Sequence, residues 1–399
     1  YGLNRDEPEV ETILDFSDSE GILRLAEKCN GSGDCRKTAE TTGAMCPSYH
    51  ATKNEKDTTR ARANMLREVL TNNTASNKFN SKDLKEVFDL CISCKACGNE
   101  CPSNVDMATA KAEFLYQYNK AKGVSLSNKL FAKSSRLNKM GARFPKLTNA
   151  IYKNGLTSKI IKKVSGVALE RNLPLISSKS FSKILQSKVN QLNTTNKEVI
   201  LFVDEFSNYL DAEIAEDAYD LLTGLGYKVT KSIDYLKNVV SEEIPMLGIE
   251  PSAILGFRDE YLRLADDLDS AKEISKHSFL IEEFLASEIK VGNIASDEFT
   301  SEVKSIKIHN HCHQKSLSNQ KITFDLLNLP QNYKPTIIAS GCCGMAGSFG
   351  YEKEHYGVSM QIGELKLFPS VRKASKETII AANGTSCRHQ IKDGTGVQA

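Results

Sequence analysis

Apolar positions change their spacing midway along this chain. In the first half they recur at helical spacing. Ile22, Leu25 and Ala26 share a face and predict a short helix within Asp15 to Lys28, capped by Ser17 or Asp18. Ala63, Leu66 and Leu70 predict another over Asp57 to Leu70, with Arg60, Arg62 and Arg67 interleaved. Ser81 caps a third that runs through Val87 and Leu90 to Cys91, and Asp106 to Lys122 forms a fourth, stopped by Gly123. Residues 124–190 continue as basic helical pieces broken by Gly141, Pro145, Gly155, Gly166 and Pro174.

From Glu198 the period shortens. Val199 to Val203 is a buried-strand run, Asp211 to Leu225 a helix with Ile214, Ala218, Leu221 and Leu222 inward, and Tyr227 to Val229 a second strand. Ile306 to Ile308, a helix around Phe324 to Leu327, Thr336 to Ala339 and Thr378 to Ala381 repeat the alternation, which implies α/β layering on a mostly parallel sheet. A weak internal duplication relates 243–253 to 377–387: each has a leading Glu, an apolar strand and a Ser before its last residue. That last residue is Ala253 in the first copy and Cys387 in the second.

Composition is ordinary for a globular protein, with 40% hydrophobic and 26% charged residues in 399. Charge is not evenly placed. Residues 101–190 hold 17 Lys/Arg against 3 Asp/Glu, and 201–303 hold 8 against 23. Such blocks steer a charged partner or a membrane surface, or they face one another. No apolar run approaches the roughly 18 residues that cross a bilayer. The first residue is Tyr1, so the natural N-terminus is expected upstream.

The 11 cysteines add chemistry to this outline. They form two groups with metal-ligand spacing, which favours thiolate ligands in a reducing, cytoplasmic compartment over disulfides. Cys91-Ile-Ser-Cys94-Lys-Ala-Cys97-Gly-Asn-Glu-Cys101-Pro102 has the C-x2-C-x2-C-x3-C-P spacing of bacterial ferredoxins, whose last cysteine serves a different cluster. Cys91, Cys94 and Cys97 therefore take their fourth thiolate from Cys46, completing a 4Fe-4S site. Zinc is the alternative, but it does not call for the third loop cysteine or the Cys-Pro step. Cys29, Cys35 and Cys101 make up a second cluster site, with Ser32 where another cysteine would fall. That leaves 3Fe-4S or 4Fe-4S open, along with a degenerate, empty loop. Arg36, Lys37 and Lys95 flank the ligands, either raising a potential or simply solvated.

In the second group, His309-Asn-His311-Cys312-His313, Gly341-Cys342-Cys343-Gly344 and Cys387-Arg-His389 each follow a strand. The ends of parallel strands are where open α/β sheets place their sites, so Cys312, Cys342, Cys343 and Cys387 are expected to converge. Adjacent Cys342 and Cys343 suit a multi-iron cluster, or one ion and a spare thiol; buried free cysteines are the bland reading. The histidines alternate along an extended run and share a face, with His311 and His313 read as donors behind the ligands.

Gly341-Cys-Cys-Gly-Met-Ala-Gly-Ser-Phe-Gly-Tyr-Glu352, between Cys312 and Cys387, resembles the CCG cysteine-rich domain of heterodisulfide reductases and of the iron–sulfur parts of glycolate oxidase and anaerobic glycerol-3-phosphate dehydrogenase. With Cys29-Asn-Gly-x-Gly-x-Cys35-Arg-Lys, Met45-Cys46-Pro-Ser-Tyr and the Arg60 to Arg67 helix, the chain is similar to the C-terminal half of fused FAD-linked 2-hydroxy-acid dehydrogenases of the D-lactate or D-2-hydroxyglutarate type. The resemblance implies a flavin-binding dehydrogenase domain, upstream or as a subunit, and a quinone or other electron acceptor. Ala253 and the lack of a C-x-x-C pair at Cys387 depart from the pattern and leave iron–sulfur or zinc open at the last site.

The expected fold is α+β and multidomain. Residues 1–28 are a remnant of an upstream domain, 29–123 an α-helical two-cluster ferredoxin domain, 124–195 a basic helical connector, and 196–399 an α/β CCG domain of two half-repeats. Electron transfer is the leading function. The other readings are disulfide or quinone reduction at the CCG thiolates and a binding protein stabilised by its metals. No phosphate loop or nucleic-acid motif is present, and the basic stretch lacks the aromatic residues of a single-strand binder. Contact of residues 120–190 with the inner membrane face is a further expectation.

Overall fold

The computed structural model describes residues 7–41, 43–188, 197–232, 236 and 239–399. The boundary expected at 195–196 lies outside the described residues. The cap predicted at Ser81 forms, its hydroxyl accepting from Leu84 N (3.2 Å) at the start of Lys82–Asp89, while the one predicted at Ser17 or Asp18 does not, because Gly21 precedes Ile22–Glu27; Thr58 caps Thr59–Asn72 by accepting from Ala61 N (3.1 Å). Asp106 accepts from Ala108 N and Thr109 N to open Met107–Lys122, which stops at Gly123 with φ +83°. These helices pack on Ala63, Leu66, Leu70, Leu84 and Phe114, with the Phe88 and Phe114 rings stacked at 5.4 Å. The expected helix over Asp15 to Lys28 is instead a 3-10 turn, Ser17–Ser19, and a helix, Ile22–Glu27. Gly21 at φ +106° separates them.

The basic stretch forms the helices Leu126–Ala132, Ser134–Gly141, Pro145–Lys153, Gly155–Ser165 and Phe181–Lys188. The first three bury no residue, whereas Phe181 and Leu185 of the last pack against the first sheet.

Two small parallel sheets follow. The first has β1 (Glu198–Phe202), β2 (Lys228–Ser232), β3 (Met246–Gly248) and β4 (Ser278–Leu280) in the order β2-β1-β3-β4. The second has β5 (Lys304–His309), β6 (Tyr333–Ile337) and β7 (Ile379–Ala382) in the order β6-β5-β7. Between β1 and β2 the helix Ala212–Gly224 buries Ala212, Ala215, Tyr219 and Leu222. Leu221, expected inward, is 38% exposed, because the buried stripe runs one residue out of step with the expected one. Polar contacts join the sheets at the C-terminal ends of their strands: Thr385 N donates to Glu250 Oε2 (2.7 Å), and Arg388 pairs with Asp211 (2.5 Å).

The largest core is continuous from the N-terminal helices into the second sheet, uniting Leu66 and Phe88 with Met345, Phe349 and Phe368. At this junction His355 stacks on Phe349 (4.4 Å). Its Nε2 pairs with Asp89 Oδ2 at 3.0 Å, and its Nδ1 lies 2.8 Å from Glu352 Oε2. Burial alone would favour the neutral ring, but hydrogen bonds and charge from both carboxylates outweigh it and push the pKa up to about 9. The stabilisation by His355 is therefore full below the ordinary histidine pKa near 6.5 and is lost as pH rises through about 9. Urea denaturation of wild type and His355→Gln is expected to show a wide gap at pH 6 that closes by pH 9.5; a gap constant with pH refutes the ion-pair account.

Candidate metal centres

The segment that delivers Cys46 is shaped by one carboxylate. Glu100 accepts from Ala44 N (2.8 Å) and Met45 N (3.0 Å). Gly43, at φ +102°, passes so close that a Cβ would sit 2.6 Å from Glu100 Oε2. Cys46 then precedes Pro47–Thr52, with its Sγ 3.0 Å from Thr59 Oγ1 and 3.7 Å from Arg62 Nη1. Opposite it, Cys91, Cys94 and Cys97 lie in a loop turned by left-handed Ser93 (φ +48°) and Lys95 (φ +63°). The four thiols are near enough to affect one another electrostatically: Cys46 acts on Cys94 and Cys97, and Cys91 on Cys46 and Cys97.

Burial raises the pKa of Cys46, Cys94 and Cys97, and neighbouring thiols add to it; Arg62 partly offsets the rise at Cys46. Such a nest holds its sulfurs as thiolates only beside positive charge, which fits an iron–sulfur group.

Cys35 lies near Cys29 and Cys46, and burial raises its pKa. Cys101 is buried in the same core. Ser32 is exposed and its hydroxyl faces Asp34 N (3.5 Å), while Asp34 pairs with Lys37 (2.6 Å).

The three flanking cations are all engaged. Arg36 pairs with Glu55 (2.9 Å), Lys37 with Asp34, and Lys95 is buried against Asp259 (2.5 Å) and Glu260 (2.6 Å). The cations nearest the sulfurs are others. Arg62, fully enclosed, also donates to Val87 O (3.2 Å) and Ser48 Oγ (3.0 Å), and Lys111 Nζ donates to the Cys91 carbonyl. Helical spacing held a sign of Arg62: it stands four residues before Leu66 on the buried stripe.

The second cysteine group also gathers. Cys312 opens the helix Cys312–Leu317 after β5, Cys342 and Cys343 follow β6, and Cys387 lies in Thr385–Thr395 after β7. Side-chain contacts run from Cys312 to Cys342, Cys343 and Cys387 in turn. The Cys342 side chain pushes the pKa of Cys312 and of Cys343 down, with His311 aiding at Cys312, whereas Cys312 and Cys343 push that of Cys342 up and Cys343 pushes that of Cys387 up. Lys315 Nζ, close to all four, donates to Ser340 O (2.6 Å) and Gly341 O (2.7 Å). Gly344, at φ +96°, leaves no room for a Cβ, which would meet Ser359 O at 2.3 Å.

The shared face expected for the histidines does not form, because β5 ends at His309. His311 caps the following helix, its Nδ1 accepting from His313 N (3.2 Å), and His313 Nε2 reaches Ser93 O (3.3 Å). His309, not singled out from the sequence, lies with Cys343 and Cys387, their donor atoms all within 4.8 Å.

The two cysteine groups touch. Cys94 interacts with Cys312, Ser316 Oγ donates to Cys94 O (3.1 Å), and a Cβ on Gly341 would lie 3.5 Å from Ala44 Cα.

Residues 28–106 match the 4Fe-4S dicluster domain family. The chain is homologous to dehydrogenases over most of its length. It is 26% identical to D-2-hydroxyglutarate dehydrogenase of Escherichia coli (strain K12), over 94% of this chain and 43% of that protein. The D-2-hydroxyglutarate dehydrogenase of Pantoea ananatis (strain AJ13355) is 24% identical over the same shares. A subunit of the anaerobic glycerol-3-phosphate dehydrogenase of Escherichia coli (strain K12) is 22% identical over 69% of this chain and 74% of its own. The chain thus spans less than half the length of the first two relatives. No solved structure matches.

Arg62→Met removes the dicluster domain's enclosed cation. It is expected to lower the reduction potential of the centre beside Cys46 in an EPR-monitored titration. Stranding Val87 O and Ser48 should also cost about 2 kcal/mol of stability. At the second group, metal must displace the protons of Cys342 and Cys387, so affinity is expected to rise with pH. Chelator competition at pH 6.5 and 8.0 reads this, and equal affinities refute it.

Proposed function

We propose that the chain is the iron–sulfur electron-transfer part of an FAD-linked 2-hydroxy-acid dehydrogenase, carrying electrons from a flavin-binding half to a quinone or other acceptor. The nearness of Cys94 to Cys312, with Ser316 Oγ donating to the Cys94 carbonyl (3.1 Å), supports this reading, because two thiol nests in series, with Cys29 and Cys35 beyond Cys46, suit stepwise electron transfer. Cys46, Cys91, Cys94 and Cys97 would hold a 4Fe-4S cluster. Cys29, Cys35 and Cys101 would hold a 3Fe-4S or 4Fe-4S cluster, and Cys312, Cys342, Cys343 and Cys387 iron–sulfur or zinc. Iron–sulfur groups change by one electron at a time, which separates the pair that a flavin delivers. Arg62 and Lys315 would offset the negative charge of the thiolates, while Glu100 and the Ser93 to Lys95 turn orient their loops.

The division into 1–28, 29–123, 124–195 and 196–399 belongs to the same proposal. The common strand order of the two sheets supports two half-repeats in the last region: Ala253 follows β3 in the first turn of a helix, as Cys387 follows β7. The lowered pKa of Cys312 and Cys343 favours a second reading, thiolate catalysis on a disulfide or quinone. Cys343→Ser separates the two. Electron transfer predicts loss of that centre's signal and of electron flow to the acceptor, with the dicluster domain still reduced by donor; lost turnover with every cluster signal intact favours catalysis.

No helix among the described residues is long and apolar enough to cross a membrane. A peripheral contact with the cytoplasmic membrane face is supported by the basic helices, which expose Leu126, Phe144, Leu147 and Leu156 at 60–71% beside lysines. Binding to anionic vesicles at low salt is expected, and Phe144→Ser with Leu156→Ser should weaken it roughly tenfold, in proportion to the apolar area lost. Failure of the wild type to partition refutes the contact.

A further inference from the structure

We propose that His309 is a nitrogen ligand in the second cysteine group, on the same metal ion as Cys343 and Cys387. The inference rests on the reading that this group holds a metal. His309 closes β5 and is fully buried. Its Nδ1 lies 2.8 Å from Ser340 Oγ, and that hydroxyl has the Ile338 carbonyl at 3.5 Å to donate to. With Ser340 donating to that carbonyl, it accepts from Nδ1–H, the tautomer that leaves Nε2 with a free lone pair. Nε2 is buried and makes no hydrogen bond of ordinary geometry, and the His309 side chain interacts with that of Cys343. Buried polar atoms are almost always satisfied, so an orphaned imidazole nitrogen beside two sulfurs calls for an explanation. The donor atoms of His309, Cys343 and Cys387 lie within 4.8 Å of one another, a span that one ion with bonds of about 2.0–2.3 Å draws together with small side-chain shifts.

The other two donors pair off. Cys312 and Cys342 contact each other, and Cys342 is chained directly to Cys343, so the two neighbours do not readily chelate a single ion. Five donors exceed the four positions of a tetrahedral zinc. They divide instead as His309, Cys343 and Cys387 around one metal and Cys312 with Cys342 on another. The centre is thereby asymmetric, with nitrogen at one end and sulfur alone at the other. The other two histidines nearby have different work: His311 caps a helix and His313 faces a backbone carbonyl.

The test uses the anaerobically purified protein with its metals, at natural abundance and with 15N-labelled histidine. Pulsed EPR is recorded on the paramagnetic signal that Cys387→Ser removes; if the metal is zinc, X-ray absorption at its edge reports the nitrogen scatterer instead. The expected result is a directly bound nitrogen in wild type that takes the 15N coupling on labelling and disappears in His309→Gln. His309→Cys, which keeps a donor, should hold the metal without the nitrogen. Ser340→Ala should keep the nitrogen while metal affinity falls roughly 10- to 100-fold. A metal-loaded centre without bound nitrogen, or nitrogen persisting in His309→Gln and His309→Cys, overturns the ligand assignment alone. Metal content unchanged by Cys387→Ser overturns the underlying metal reading with it.

Discussion

Sulfur buried away from water must keep its proton or find a cation, and the fold is built around that constraint. All the cysteines except Cys29 are buried, most of them in one hydrophobic core. Burial raises the pKa of Cys46, Cys94 and Cys97, so these thiols ionise only against charge brought to them. The chain supplies part of it in Arg62 and Lys315, long side chains drawn inward and tied to carbonyls and hydroxyls. The match of residues 28–106 to the 4Fe-4S dicluster domain family supports iron–sulfur clusters as the source of the rest.

Carboxylates do the complementary work on the backbone. Glu100 gathers two amides ahead of Cys46, and Glu250 receives the Thr385 amide two residues before Cys387. Each takes up donors that would otherwise be stranded where the chain turns sharply to present sulfur. The placement of these cysteines is thus held by acids far away in sequence, which explains why their loops need so little regular structure of their own.

The readable parts of the sequence were those whose physics is local. Ser81 and Asp106 cap the helices they precede, the ferredoxin spacing places Cys91, Cys94 and Cys97 in one turn, and strands ending before Cys312, Cys342 and Cys387 bring these residues together. What escaped depends on partners far along the chain. Arg62 read as one of three arginines interleaved along its helix, because nothing nearby announces Cys46, Ser48 and Val87 around it. The histidine run alternates as a strand would, yet β5 stops at His309, since the next residues turn into a helix capped by His311. β4, at three residues, is too short to carry a period.

The close seating of Gly341 on Ala44 has a consequence for how this protein can be divided. The dicluster segment and the second sheet share one oily interior, so residues 28–106 expressed by themselves would present to water the surface that Met345, Phe349 and Phe368 now cover. A sequence match can be cut at its borders; this interior cannot. Any attempt to graft the dicluster segment onto another scaffold would have to bring a substitute lid with it.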